Sequence, residues 1–123
     1  MIKRTKPIRR ISPNKAKSDR LYRTISKEFL ARPENSFCRV HFALTGQKIQ
    51  ATCIHHVRGR LGTLKFDTRW FCPTSFSNSL WPHANIEKAR ELGLIALNGE
   101  WHNAPDDEET AKIRAMMIEK GIH

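Results

Sequence analysis

The stretch that decides the fold of this chain is Ala51-Thr52-Cys53-Ile54-His55-His56-Val57-Arg58-Gly59-Arg60. Its apolar start is typical of a short strand, and its end is a basic turn. Between them stand two adjacent histidines, His55 and His56, whose side chains would point to opposite faces of that strand. One such histidine can hold a divalent metal while its neighbour acts as a general base on water. The alternative interpretation is a pair of ordinary surface histidines.

Positive charge is concentrated at one end of the chain. The 123 residues carry a net charge of +10. Residues 1–27 contain ten Lys or Arg and a single acid, Asp19, whereas the remainder is nearly neutral, with twelve bases and eleven acids. A cationic arm of this kind binds a phosphate backbone by releasing counterions. We therefore expect a nucleic-acid partner, DNA in particular; a solvated tail that aids solubility is the alternative.

The composition argues against membrane and secreted classes. No apolar run approaches the roughly 20 residues that span a bilayer, and the basic N-terminus lacks the apolar segment of a secretory signal. The three cysteines are odd in number and widely spaced, which argues against a disulfide framework. We expect reduced thiols, a cytoplasmic location and no membrane partner.

The pattern predicts an α+β fold with two parts. Residues 1–17 are expected to form a flexible basic arm, and residues 18–123 a single domain. A first helix is predicted from Ser18 until Pro33 ends it. Its apolar stripe follows helical spacing at Leu21, Ile25 and Phe29, with Tyr22 and Leu30 alongside.

The later elements are predicted from turn and cap signals. A knuckle or hairpin is expected over residues 37–50, and strand-like segments over 51–57 and 70–73. A helix over 86–92 should stop at Gly93, and a final helix should begin after Pro105 and run to about Lys120. Between these helices, residues 94–101 suggest a short hairpin around Asn98-Gly99.

Three residues offer an incomplete zinc site. Cys38 and His41 form a C-x-x-H pair, a spacing that can grip a tetrahedral Zn²⁺. The second pair that a structural site needs would start at Cys72, but its other position is Ser75, a poor zinc ligand. The alternative is that Cys38 and Cys72 are ordinary buried thiols.

Residues 38–93 resemble small phage- and prophage-type HNH proteins of the ββα-metal endonuclease superfamily. Those proteins carry a C-x-x-C knuckle, an A-T-D-x-H-H-x-x-G-R strand, a tryptophan-containing strand and a later N-P-x-x-A-R-E-L-G run. The matching segments here are Cys38-Arg39-Val40-His41, residues 51–60, Trp70-Phe71-Cys72 and Trp81-Pro82-His83-Ala84-Asn85-Ile86-Glu87-Lys88-Ala89-Arg90-Glu91-Leu92-Gly93.

The resemblance implies a small treble-clef-like ββα-metal centre. In it, His55 and His83 would hold Mg²⁺ or another divalent ion, and His56 would be the catalytic base. This chain departs from the family pattern at several places: His41 replaces a cysteine of the knuckle, and the spacing from Cys72 to His83 is about three residues longer than the pattern. Cys53 replaces the aspartate of A-T-D, Ser79 stands where a first helical histidine is expected, and Ser75 breaks the second C-x-x-C.

Basic residues near this strand and in the arm are the expected phosphate contacts. They are Lys3, Arg4, Arg9, Arg10, Arg58, Arg60 and Lys65. The tryptophans are expected to pack in the core rather than to stack on bases. His102 and His123 are expected on the surface.

Three functions stay open from the sequence. The favoured one is a degenerate HNH-like domain, from a phage or mobile element in a bacterial host cell, that binds DNA, RNA or a nucleic-acid-processing protein. The second is an active metal-dependent HNH endonuclease that hydrolyses DNA phosphodiesters. The third is a phage inhibitor that binds a host nucleic-acid-processing protein.

Overall fold

The computed structural model describes residues 12–123, which adopt an α+β fold. This part of the chain contains five α-helices and one antiparallel sheet of two strands. In chain order they are α1 (Pro13–Ala31), α2 (Arg39–Thr45), β1 (Cys53–His56), β2 (Phe71–Thr74), α3 (Trp81–Ala84), α4 (Ile86–Glu91) and α5 (Glu108–Glu119). None of the helices described is long and apolar enough to cross a lipid bilayer.

Helix α1 begins five residues earlier than the sequence predicts. The side chain of Ser12 accepts a hydrogen bond from the backbone N–H of Lys15 and caps the helix, and Pro13 occupies its first turn. Proline is favourable there because its missing N–H would have no partner within the helix. The prediction that residues 13–17 belong to an extended arm is therefore wrong. The rest of the predicted arm, residues 1–11, lies outside the described residues.

The apolar stripe of α1 is confirmed and faces two neighbours. Phe29 is buried and meets the ring of Phe71 edge-on, with ring centroids 5.4 Å apart. Closer to the start of the helix, other stripe residues cover a cluster of buried residues from α5 and the segments beside it. Leu21, Tyr22 and Ile25 pack against Phe66, Ile113 and Ile122 there, joined by Met116 and Met117.

The two strands pair antiparallel, with His55 opposite Cys72 and His56 opposite Phe71. Strand β1 is shorter than the predicted segment 51–57. Before it, a bridge joins Phe37 to Gln50, and the predicted knuckle between them contains α2.

A second core cluster lies under the sheet. It contains Cys38, Val40, Cys72, Ala89, Leu94 and Ile95, with Val57 and Trp81 at its border. The predicted helix over 86–92 is confirmed as α4, and Gly93, with a φ of 72°, turns the chain back toward the sheet. The predicted hairpin over 94–101 is wrong. The N–H of Ala96 donates to the Val57 carbonyl at 2.8 Å, so this apolar segment is buried beside the sheet instead of pairing with residues that follow it.

The predicted final helix is confirmed as α5, and an ion pair between Arg69 and the buried Asp67 carboxylate connects its start to the centre of the chain. Asp67 is only 1% exposed, and its carboxylate accepts two hydrogen bonds from the Arg69 guanidinium, at 2.9 and 2.6 Å. The same guanidinium donates to Asp107 and Thr110 in the first turn of α5. Hydrogen bonds from Arg69 lower the pKa of Asp107. Arg69 thus holds α5 against the loop before β2.

We predict that Asp67→Ala lowers the free energy of unfolding by about 2 kcal/mol, because it removes the buried partner of a charge-assisted hydrogen-bond pair. The cost should stay below that of a fully buried pair, since the Arg69 side chain is 35% exposed. Urea unfolding followed by circular dichroism measures it. Asp106→Ala, at an exposed neighbouring position, is the control and should be close to neutral; equal losses in both variants would contradict the assignment.

Candidate histidine cleft

A cleft of about 330 Å³ opens at the end of β1. Its walls come from β1, the turn after it, the start of α3 and a loop before α5. The lining residues that matter most are His55, Arg60, Leu80, His83, Trp101 and His102. The structure therefore brings His55 and His83 together, as the sequence predicts.

His55 is buried on β1 and is held in one tautomer. Its Nε2 lies 2.6 Å from the Leu94 carbonyl oxygen. Because a carbonyl only accepts, Nε2 carries the proton and Nδ1 keeps its lone pair. The ring of His83 stands nearly perpendicular to that of His55, with centroids 5.2 Å apart. Burial lowers the pKa of His55, so the ring is kept neutral.

His56 also lines the cleft, but its ring is buried and bonds to Tyr22 of α1. Its Nε2 lies 2.9 Å from the hydroxyl of Tyr22, and its Nδ1 is buried without a hydrogen-bond partner. Burial, followed by the charge of Arg60, lowers the pKa of His56 to about 3. With one nitrogen bonded and the other buried, this geometry does not favour His56 as a base toward water in the cleft.

Arg58 does not line the cleft but anchors the loop that does. Its side chain is only 11% exposed, lies over the ring of Trp70 and donates from Nε to the Asn103 carbonyl at 2.9 Å. Its Nη1 pairs with the Glu100 carboxylate at 3.3 Å. These bonds hold the loop that carries Trp101. Because its guanidinium donors are used inside the fold, Arg58 does not belong to the phosphate-binding surface that the sequence predicts.

The loop residues Trp101 and His102 close the cleft. Their rings stack at 24° with centroids 4.9 Å apart, and the Trp101 ring also contacts His83 edge-on at 5.4 Å. The backbone of His102 has a φ of 64°, rare for a residue with a side chain. Its ring lies so close to Gly59 that a Cβ there would come within 2.1 Å of it. Only glycine fits at position 59.

Of the predicted phosphate contacts, Arg60 is the one left exposed in the described chain. Its guanidinium lies 4.7 Å from the centre of the Tyr22 ring. Lys65 instead donates to the Ser18 hydroxyl and the Asp19 carboxylate. The arm residues Lys3, Arg4, Arg9 and Arg10 lie outside the described residues.

The predicted zinc ligands fall in and beside the core under the sheet. Cys38 and Cys72 are both buried in one cluster, and the sulfur of Cys38 accepts a hydrogen bond from the backbone N–H of His41 at the start of α2. Burial raises the pKa of the Cys72 thiol to about 12. Within residues 12–123, no group of three or more His, Cys, Asp or Glu side chains is placed to hold a metal ion. Zinc binding by these residues stays a prediction.

Sequence reasoning missed four cleft or cleft-side residues: Tyr22, Leu80, Trp101 and His102. The sequence predicts core packing for Trp101 and a surface position for His102. For Trp101 and His102, the one local signal in the sequence is the neighbouring Glu100, a carboxylate that can pair with a distant arginine. That the arginine is Arg58 follows from the tertiary structure alone.

Comparisons with protein-family models, with curated proteins and with solved structures found no match to this chain.

The buried His56 predicts a stability that falls in acid. Its pKa is about 3 in the folded protein and 6.5 when exposed. Between these values the unfolded chain binds more protons, so the free energy of unfolding decreases as the pH falls from 6.5 toward 3. His55, whose pKa is also lowered, acts in the same direction.

His56→Gln should flatten this dependence by up to about 1.4 kcal/mol per pH unit, the value for one proton, while its amide can still bond to Tyr22. Urea unfolding at a series of pH values measures the slope. The exposed His123→Gln is the control and should leave the slope as it is. A slope that His56→Gln does not change would show that another group causes the acid sensitivity.

Proposed function

We propose that this protein binds nucleic acid, DNA in particular, through a cationic stripe on α1, and that its cleft belongs to a degenerate HNH-like domain. The stripe consists of Lys17, Arg20, Arg23 and Lys27. At 3.6 residues per turn these four side chains span roughly 120° of the helix, on the side away from its apolar stripe. All four are exposed, and in the described chain none has a carboxylate within salt-bridge distance.

The clustering of four cations on one face of α1, unpaired within the described chain, is the observation that carries this proposal. Lys88 and Lys112, by contrast, each lie beside a carboxylate one helical turn away. The stripe also borders a groove of about 390 Å³, where Lys120 of the chain after α5 joins Lys17 and Arg20. Unpaired, clustered cations gain free energy when a polyanion replaces their counterions. A phosphate backbone fits this surface better than a neutral partner does.

Neutralising part of the stripe should lower the affinity for DNA and also reduce the salt dependence of that affinity. For Arg20→Gln/Lys27→Gln, we expect lower affinity for duplex DNA. The log–log salt slope should fall by about one for each phosphate that the variant no longer neutralises. Fluorescence anisotropy titrations across a range of salt concentrations measure both quantities.

The matched control is Lys88→Gln/Lys112→Gln, which removes the same net charge from cations that already have carboxylate partners. It should change neither affinity nor slope appreciably. If both variants lose affinity equally, binding depends on net charge alone and the stripe is not the contact surface.

The arrangement of the cleft supports the HNH-like ancestry. An antiparallel pair, β1 and β2, is followed by α3, with His55 on the first strand and His83 on the helix, the order that the ββα-metal pattern implies. Two of the substituted positions, 53 and 79, make other contacts. The thiol of Cys53 lies against Thr74, and the Ser79 hydroxyl donates to the Phe76 carbonyl. These contacts support a domain that keeps the framework without part of the ligand set.

Metal-dependent hydrolysis of phosphodiesters is a second candidate, favoured by one observation. The hydrogen bond to Leu94 leaves the Nδ1 lone pair of His55 free, an arrangement typical of metal-ligating histidines. His55 and His83 would hold the ion, with phosphate oxygens and water completing its coordination. Once bound, a divalent ion stabilises the charge that develops on a phosphodiester during hydrolysis. Arg60 would hold the backbone at the cleft.

This second candidate predicts nicking of supercoiled plasmid DNA in the presence of Mg²⁺, Mn²⁺ or Ni²⁺, abolished by His83→Ala and retained in His123→Ala. His83 contacts His55 in the cleft, whereas His123 is exposed and does not line it. Agarose gels of plasmid topoisomers measure the activity. If the protein binds DNA but nicks it with none of these ions, the hydrolysis candidate is excluded and the binding proposal is unaffected.

A further inference from the structure

The histidine cleft carries more apolar and aromatic surface than phosphate binding needs. We infer that it accepts a single unpaired nucleotide, so that the protein prefers single-stranded over double-stranded nucleic acid. This inference rests on the proposed nucleic-acid function and adds the class of ligand. In this inference, Arg60 contacts the phosphate of the nucleotide and Trp101 stacks on its base.

Trp101 offers an exposed aromatic surface in a fixed position. Its side chain is 40% exposed although it contacts His83 and stacks on His102. The loop beneath it is anchored by the buried Arg58 through Glu100 and the Asn103 carbonyl. A rigid, partly exposed indole is a platform on which a base can stack, since every base has a π-face.

The conformation of the neighbouring His102 supports a built site rather than a chance surface. Its left-handed backbone is unfavourable for a residue with a side chain, and its ring packs directly on Gly59. Strained backbone of this kind persists where the surrounding structure over-determines it, commonly at ligand sites. Here it stacks the His102 ring on Trp101, which lines the cleft and keeps 40% of its surface exposed.

Exposed apolar side chains continue on the α3 side of the cleft. Leu80, which lines it, is 74% exposed, and Phe76, four residues earlier in the chain, is 85% exposed. Exposed large apolar groups at a cleft commonly mark a binding surface. The volume of about 330 Å³ lies at the small end of the range for small-molecule sites. That size suits one nucleotide, and the bases of a duplex are already covered on both faces by their neighbours.

The charge of the cleft selects a nucleotide over an apolar peptide. Arg60 is exposed at its wall, and in the described chain no carboxylate lies within salt-bridge distance of it. No acidic side chain of residues 12–123 lines the cleft. A cation beside an aromatic platform matches the phosphate and base of one nucleotide, as in sites that bind single strands without strong sequence preference.

The experiment compares fluorescein-labelled oligonucleotides of about 12 nucleotides, supplied as single-stranded DNA, single-stranded RNA and the matching DNA duplex, by anisotropy at one salt concentration. The full-length protein should bind a single strand more tightly than the duplex. Trp101→Ala should lower affinity for the single strand about tenfold, the range for losing one stacked base, and leave duplex affinity unchanged. Trp101→Phe should retain most of the affinity because a phenyl ring still stacks.

Two further measurements separate stacking from structural damage. Single-stranded oligonucleotide should quench the tryptophan fluorescence of the protein, and this quenching should disappear in Trp101→Phe although binding persists. Phe42→Ala removes an aromatic side chain of similar exposure, 42%, from α2, away from the cleft lining, and should leave single-strand affinity unchanged. Urea unfolding of each variant checks that the fold is retained.

Equal affinity for single strand and duplex, with no effect of Trp101→Ala, would overturn the inference and leave nucleic-acid binding by the α1 stripe intact. Binding of none of the oligonucleotides would overturn both proposals. Tighter binding of single-stranded RNA than of single-stranded DNA would support the inference and show that the preferred nucleotide carries ribose.

Discussion

The cleft depends on one buried arginine. Arg58 leaves the end of β1, lies over Trp70 and donates to Glu100 and to the backbone of Asn103. A guanidinium that is only 11% exposed is tolerable because it is paired with a carboxylate and with a carbonyl oxygen. Its side-chain contacts fix the loop together with a backbone hydrogen bond from the His102 N–H to the Arg58 carbonyl at 2.8 Å. The position of Trp101 over the cleft follows from this anchoring.

The two histidines of β1 show how desolvation decides the chemistry of the site. Both rings are buried, and burial is the largest influence on the pKa of each. The nearby cations Arg60 and Lys65 push the pKa of His56 the same way. Both imidazoles are therefore neutral at physiological pH. A neutral His55 with a fixed tautomer can act as a metal ligand or a hydrogen-bond partner. His56 acts mainly as a packing residue bonded to Tyr22.

The cationic stripe of α1 provides long-range attraction to phosphate that weakens with salt, whereas the cleft adds a short-range contact that only an unstacked base can make.

Local patterns determined much of the secondary structure. The spacing of Leu21, Ile25 and Phe29 predicted the buried face of α1, and glycines at the ends of α4 and α5 marked where those helices stop. Such signals are readable because capping and periodicity act between residues close in sequence. The two failures have different causes. Residues 13–17 begin α1 instead of belonging to a flexible arm because Pro13 is favourable in a first helical turn. Residues 94–96 do not form a hairpin because a long-range hydrogen bond from Ala96 to Val57 holds them beside β1.

The sequence by itself determined the basic end of the chain, the strand with His55 and His56, and the helices on either side. Only the tertiary structure decided which cations face solvent. Arg58 and Arg60 are two residues apart, yet one is buried against Glu100 and the other is exposed beside Tyr22. Their roles differ because each depends on a partner about 40 residues away, and no local pattern records such a contact. The same holds for Trp101, whose place in the cleft depends on the folded path of a loop that the sequence suggested was a hairpin.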